Sequence, residues 1–587
     1  MRSRTELLLL VAGCGFLLFY GLGAFGLLGA DEPRYAQVAR EMLDRGDWVT
    51  PTLNGKPWLE KPPLYYWQAM VSYRVARVFS NGGDGVDERS ARLPGAIDAA
   101  FMIAAIYFFL RQRNKWRDAR ARLSAAEAVS RNFRSGSELD AALITASCAG
   151  VIGFAHAAST DMPLTATFTI ALLAWYAWYE SERRIALAIF YLCLALGTLA
   201  KGPVAPVLAA VIVLLFAAVK RDWSVLLRTL WIPGIVLFFA VSLPWYVAVQ
   251  MRNPDFFRVF ILEHNLARFS SNVYHHPQPV WFYLPVFLLA AMPWTLWLIM
   301  AVVERLRLSW RERREAFTGA QAFASEKDSW SLYLLLWMVV PIVFFSASQS
   351  KLPGYILPAV PAAALLVSEY LAARRERNIK ISWPLAAAHG ILCGLLIFAA
   401  LFAATSAATS AATSAAFVAV NHHLIFSQGA YIAAAIATVF AVGIAIALIL
   451  PAGPQLLRPL TMLAAIVSVA GVIRLAAPAI DATQSARPIA EIIRSYSRES
   501  FSHESFSFER VPVALYHVGR TKQYGLDFYL NRPTQTYDEG QVPGAAHLLL
   551  AAPNAEAGFS ALIPGRKVSY LTSLPAQKLE IYWIGKK

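Results

Sequence analysis

Apolar runs long enough to cross a bilayer recur along this 587-residue chain, almost without interruption, to about residue 476. A spanning helix needs roughly 20 apolar residues to cross a hydrocarbon core of about 30 Å. Runs of this kind fall at 7-30, 95-111, 139-157, 162-180, 185-200, 203-219, 227-250, 279-304, 331-347, 353-373, 383-404, 429-450 and 456-476. They predict a polytopic α-helical membrane protein of about thirteen spans, with the pair around Gly202-Pro203 open to reading as one broken helix. The first run follows Arg2 and Arg4 but is too long for a secretory leader, so it is read as an uncleaved helix. Charged residues make up 16% of the chain, against roughly 25% in soluble domains, which argues against a soluble globular chain.

The formal net charge of +15 could suggest a nucleic-acid partner, but the basic residues sit in short loops between apolar runs. That pattern sets membrane orientation and predicts no nucleic-acid face. The basic set includes Arg111 to Arg134, Arg183-Arg184, Lys220-Arg221, Arg305 to Arg314 and Arg374 to Lys380, which the positive-inside rule assigns to the cytoplasm. With an odd number of spans, the chain beyond about residue 477 then lies outside. The four cysteines, Cys14, Cys148, Cys193 and Cys393, fall inside apolar runs with no CxxC pair, which argues against disulfides or a thiolate metal site.

Loops of the opposite parity carry nearly all the unusual motifs: Asp31-Glu32-Pro33-Arg34-Tyr35, Glu60-Lys61-Pro62-Pro63, Ser159-Thr160-Asp161, Lys201-Gly202-Pro203, Glu263-His264 through Arg268, and Lys351-Leu352-Pro353-Gly354-Tyr355. The expected organisation is a transmembrane unit over 1-476, whose first outer loop at 31-94 holds amphipathic interfacial helices, and a small α/β domain over 477-587. Strands are predicted at Val511-Val518, His547-Ala551, Val568-Leu571 and Leu579-Ile584. The repeat at Thr405 to Ala416 is a low-complexity extension with no assigned function.

Asp31 and Glu32 stand at the outer end of the first span, where an ionised carboxylate is costly unless it meets water or a partner. They are the candidate catalytic pair, against the alternative that they cap the next helix. Lys61 beside two stiffening prolines, with Lys201, Arg268 and Lys351 at the same level, would suit a lipid phosphate, the alternative being snorkelling side chains. Asp161 reads equally as a helix cap or as an acid facing Asp31. Glu263 with His264, His275 and His276 leaves a divalent metal open, although the spacing matches no compact site. Trp245, Trp281, Tyr283 and Trp294 are expected to be interfacial anchors. The chain has no P-loop, GxGxxG, HExxH or GxSxG, so nucleotide-driven chemistry has no visible home. A donor already activated on a lipid would need none.

On Asp31 to Ala36, Arg40-Glu41-Met42 through Asp47-Trp48, Glu60 to Pro63, Glu263-His264 with Arg268-Phe269, and Lys351 to Pro358, the chain resembles the GT-C membrane glycosyltransferases related to protein O-mannosyltransferases. Within them it is most similar to the aminoarabinose transferases that modify lipid A. The resemblance covers about residues 31 to 360 and implies thirteen helices, interfacial helices in the first outer loop and a small periplasmic domain. The reaction it implies moves 4-amino-4-deoxy-L-arabinose from undecaprenyl phosphate to a lipid A phosphate at the inner membrane. It makes Asp31 the key carboxylate, gives Lys61 and Arg268 the carrier phosphate, and lines the site with Glu60, Asp161 and Tyr355. Arg34, Tyr35, Lys201 and Lys351 complete the substrate-binding set, and no cofactor is identified. The rival readings are the same fold using another sugar or a protein or glycan acceptor, and a lipid transporter. Transporters carry midplane polar groups on broken helices, whereas these motifs are one-sided.

Overall fold

The computed structural model describes residues 2–80, 82–123, 137–267, 278–317, 326–412, 422–499 and 511–586. The chain is a polytopic helical membrane protein with a small C-terminal α/β domain. Eight helices among the described residues are long and apolar enough to cross a bilayer, or up to ten if each of two bent pairs is one span. Two shorter apolar helices, Leu10–Phe19 and Val204–Lys220, accompany them. Hydropathy registers apolar runs but is blind to bends, and here Ser137–Ser147 and Ala149–Ala155 meet at 62° while Val280–Ala290 and Thr295–Leu308 meet at 114°. The thirteen runs therefore do not map one to one onto straight spans.

The first run shows why. Helix α1 (Arg2–Phe19) ends well before Ala30, in a stretch where Gly21 and Gly29 adopt positive φ. Those backbone conformations are open to glycine at little cost and end the helix. The carbonyls released from helical pairing in this stretch become acceptors for a side chain described below.

Helix α2 (Asp31–Arg45) follows, closed by Gly46 in the left-handed conformation, with Gly46 N–H donating to the Leu43 carbonyl. A short hairpin, β1 (Thr52–Leu53) with β2 (Lys56–Pro57), leads to Glu60-Lys61-Pro62-Pro63 and then α3 (Leu64–Phe79). The two helices expected in the first outer loop are present. They pack through Tyr35, Val38, Met42, Tyr65, Tyr66, Ala69 and Tyr73, all buried. The long helix α4 (Glu88–Leu123) then enters the helical bundle.

After α5 (Ser137–Ser147) and α6 (Ala149–Ala155), helix α7 (Asp161–Ser181) sets the axial scale. Asp161 and Glu180 are separated along it by roughly 28 Å at 1.5 Å per residue, close to the hydrocarbon thickness. Glu180 pairs with the buried Arg113 of α4 at 2.9 Å, and Asp161 pairs at the other end with Lys201, the last residue of α8 (Arg184–Lys201). Opposite poles of one helix thus carry separate charge clusters.

In the C-terminal domain the strands β3 (Val513–Tyr516), β4 (Gln535–Thr536), β5 (His547–Ala551), β6 (Val568–Leu574) and β7 (Leu579–Ile584) form one sheet in the order β4-β3-β5-β7-β6. β3 runs parallel to β4 and β5, and β7 is antiparallel to β5 and β6. One face packs on Ile489 and Ile493 of the helix Arg487–Glu499, and the other on Phe559. The continuous burial of His547–Ala551 fits a strand covered on both faces.

Candidate functional site

Asp31 opens α2, and its side chain remains 51% exposed while pairing with Arg34 three residues on. One turn of helix puts the two on the same face. Arg34 Nη1 also lies 4.0 Å from Glu60 Oε2, so one guanidinium stands between the two carboxylates. Three rings surround it: Trp58 at 4.8 Å, Tyr35 at 5.3 Å and Tyr524 at 5.6 Å from its Cζ. Burial alone would lower the Arg34 pKa, but Tyr35, Asp31 and Glu60 more than offset it and keep the group firmly charged. Tyr35, fully buried, has its phenol pushed well above the usual value by that burial, with Asp31 and Asp161 among the charges that add to the effect.

A second group sits beside the first. Lys201 contacts Asp161 and lies 4.4 Å from the Tyr355 ring centroid, a cation–π arrangement. Gly354 makes that geometry possible, because a Cβ there would fall 2.7 Å from Asp161 Cγ and 2.8 Å from both carboxylate oxygens. The turn Pro353–Ala359 therefore comes up against the start of α7 only with glycine at that position. Lys351 is 6% exposed and donates to the Ser348 carbonyl at 2.5 Å. Tyr283 Oη donates to the Leu352 carbonyl at 3.1 Å and fixes the same loop. Lys61 is half-buried just before α3.

Glu32 does not join this group. It is 8% exposed and accepts from Arg92 Nε at 3.1 Å and Nη2 at 2.8 Å. It also accepts from the backbone amides of Leu28 at 2.7 Å and Ala158 at 2.8 Å. With both oxygens engaged in the interior, Glu32 ties α2, α4 and the approach to α7 together. Sequence position alone pairs Asp31 with Glu32, while the structure sends them to different neighbours.

Arg268, His275 and His276 lie outside the described residues, and the site is built without them. Among the described residues, no group of three or more His, Cys, Asp or Glu side chains is placed to hold a metal ion. Of the four expected anchors, Trp281 is exposed, whereas Trp245, Tyr283 and Trp294 are buried. Trp245 Nε1 donates to the Val49 carbonyl and Trp294 Nε1 to Ser147 Oγ, so these indoles lock segments together, which corrects the interfacial reading. Residues that sequence reasoning missed are Arg92, Trp58 and Tyr524. An arginine directly before the apolar stretch of α4 is a usable signal for the first. Tyr524 has none, since 490 residues separate it from Arg34.

Helix N-termini, a helix C-terminus and two tight turns thus bring Asp31, Arg34, Tyr35, Glu60, Asp161, Lys201 and Tyr355 to one end of the bundle. The arrangement offers one half-exposed carboxylate, Asp31, among cations and aromatic faces. It is suited to holding a charged, partly apolar ligand at the level where the helices emerge.

No family model matches the chain. It is 33% identical over 379 residues to the undecaprenyl phosphate-alpha-4-amino-4-deoxy-L-arabinose arabinosyl transferase of Pseudomonas aeruginosa (strain UCBPP-PA14), a match covering 64% of this chain. It spans 60% of the length of that relative. The protein of the same name from Pseudomonas savastanoi pv. phaseolicola is 32% identical over 404 residues, covering 67% of each chain. Among solved structures, ArnT from Cupriavidus metallidurans bound to undecaprenyl phosphate has TM-score 0.69 at 21% identity, over 98% of this chain and 97% of that one, which shows a shared fold.

Proposed function

We propose, from the premise that the chain belongs to the family of undecaprenyl phosphate-4-amino-4-deoxy-L-arabinose arabinosyl transferases, that it transfers 4-amino-4-deoxy-L-arabinose from undecaprenyl phosphate to a lipid A phosphate. The site lies on the periplasmic side of the bacterial inner membrane, the sidedness that the basic loops support by the positive-inside rule. The observation that carries this reading is the placing of two charged groups, Asp31 with Arg34 and Glu60 and Asp161 with Lys201 and Tyr355, near the buried Tyr35, on which both Asp31 and Asp161 act. A carrier lipid can deliver a phosphate-linked sugar there from the bilayer.

In this reaction an acceptor phosphate oxygen attacks the anomeric carbon while the bond from that carbon to the carrier phosphate breaks. The electrons of the broken bond stay on undecaprenyl phosphate. A phosphate acceptor is already anionic near neutral pH, so no general base has to remove a proton from it. Asp31 then orients the acceptor or the sugar, and Glu60 or Asp161 pairs with the donor's ammonium group. Lys61 and Arg268 hold the carrier phosphate, consistent with charge-assisted phosphate contacts. Glu32 takes a structural role through Arg92. In this reading the unit over 1-476 carries the chemistry and the domain over 477-587 sits outside the membrane above it.

The test is the mass profile of lipid A with and without the gene, paired with transfer by the purified chain from a lipid-linked donor. Loss of the aminoarabinose mass increment on deletion is the expected result. An unchanged profile would reject the lipid A acceptor and direct the search to another sugar or acceptor on the same fold.

A further inference from the structure

We infer that Tyr524 of the C-terminal domain is a positioning residue of the transferase site, closing an aromatic enclosure around Arg34 and so fixing Asp31 and Glu60. The inference rests on the activity proposed above. Its geometry is independent of that activity.

Tyr524 belongs to the helix Arg520–Leu530, which lies against α2. The seating of that helix is specified at successive positions. Asp527 Oδ2 accepts from Asn54 Nδ2 at 2.9 Å, and the Phe528 carbonyl accepts from Arg40 Nη1 at 2.7 Å while the Arg40 guanidinium lies 4.5 Å from the Phe528 ring. Tyr529 Oη accepts from the Leu27 amide at 2.8 Å and donates to Glu88 at 2.9 Å. Gly26 lets this end close, since a Cβ there would fall 2.0 Å from Ser485 Oγ and 2.6 Å from Tyr529 Oη. Residues three and four apart share a helix face, so fixing Asp527 against the β1–β2 hairpin and Phe528 against α2 also directs Tyr524 toward that side, one turn earlier. That turn reaches Arg34.

Tyr35 and Trp58 come from the first outer loop itself, and the third ring comes from the far end of the chain. Arg34 Nε is buried with no hydrogen-bond partner among the described residues. The direction of this guanidinium is therefore set by its two carboxylates and by the rings. An aromatic face attracts a cation without taking up its N–H groups. Tyr524 can therefore orient Arg34 while leaving its donors to Asp31 and Glu60.

The experiment uses the full chain in proteoliposomes with undecaprenyl-phosphate aminoarabinose as donor and lipid A as acceptor. Tyr524→Leu keeps an apolar side chain and removes the ring face. It is expected to lower kcat about tenfold, the order of one desolvated cation–ring contact, with KM for the donor within about twofold and an unchanged melting temperature. Tyr524→Phe and Tyr524→Trp keep the face and should stay within about twofold of the parent. If the leucine chain melts early, Tyr524→Met takes its place. Parental kcat in the leucine or methionine chain overturns the inference, and so does an equal loss in the phenylalanine and leucine chains, which would point to the hydroxyl or to fit. A parent chain that transfers nothing refutes the proposed activity, and this inference falls with it.

Discussion

Two arginines near the start of α2 meet adjacent carboxylates and are used in opposite ways. Arg92, 1% exposed, spends all five N–H groups: Nε and Nη2 on Glu32, Nη1 on the Leu22 and Phe25 carbonyls, and Nη2 again on Gly26. That is the full donor capacity of a guanidinium. Arg34 stands between Asp31 and Glu60, keeps a buried Nε without a partner, and is surrounded by rings rather than acceptors. The saturated arginine is a structural tie. The unsaturated one, beside a half-exposed carboxylate, is the one with capacity left for a ligand.

The largest expected effect tests the first half of that contrast. Arg92→Ala leaves Glu32 buried and uncompensated, which should cost about 3–5 kcal/mol, read as a large fall in melting temperature of the solubilised chain. A variant that melts like the parent would remove the distinction between the two arginines. Asp31→Asn tests the other half. Transfer should fall about 100-fold or more, as on loss of one aligned electrostatic group, with the melting temperature unchanged, and near-normal transfer would defeat the role given to this carboxylate.

A smaller effect sharpens how the second charged group is held. Gly354→Ala puts a methyl against Asp161, an overpacking that should cost about 1–3 kcal/mol and slow transfer by displacing Asp161 from Lys201. If the alanine chain is indistinguishable in rate and melting, the close approach does not matter. The smallest effect lies farthest from the site. His547 is buried, shares hydrogen bonds with Tyr537 Oη at 2.5 Å and the Ala545 carbonyl at 2.8 Å, and burial lowers its pKa. Its charged form is therefore disfavoured in the folded state, and an unfolded histidine titrates near 6.5. Stability of the C-terminal sheet should be flat above about pH 6.5 and decline as pH falls through it, and His547→Gln should remove that part of the acid slope.

Much of the outline is legible in the sequence because the bilayer imposes a long apolar period that few other folds require. Helices from Asp31 and from Leu64 in the first outer loop follow from amphipathic spacing, with Pro33 in the first turn and Pro63 just before Leu64. His547–Ala551 and Leu579–Ile584 form the strands expected of them, since short apolar runs between turn residues have few alternatives. The bends in the bundle were not legible, because hydropathy carries no direction. The burial of Trp245 and Trp294 was not legible either, since an indole at a helix end reads the same whether it meets lipid headgroups or another segment's acceptor.

What the sequence determined alone is the polytopic fold class and the clustering of acidic, basic and aromatic motifs in loops of one parity. Tertiary structure decided which of two neighbouring acids stays half-exposed. Successive residues on an α-helix point about 100° apart, so Asp31 and Glu32 diverge as soon as α2 forms. Their fates then depend on side chains brought in from far along the chain: Arg92 from the start of α4 for one, and Tyr524 around Arg34 for the other. No local pattern encodes those meetings, because they exist only once the distant segments have packed.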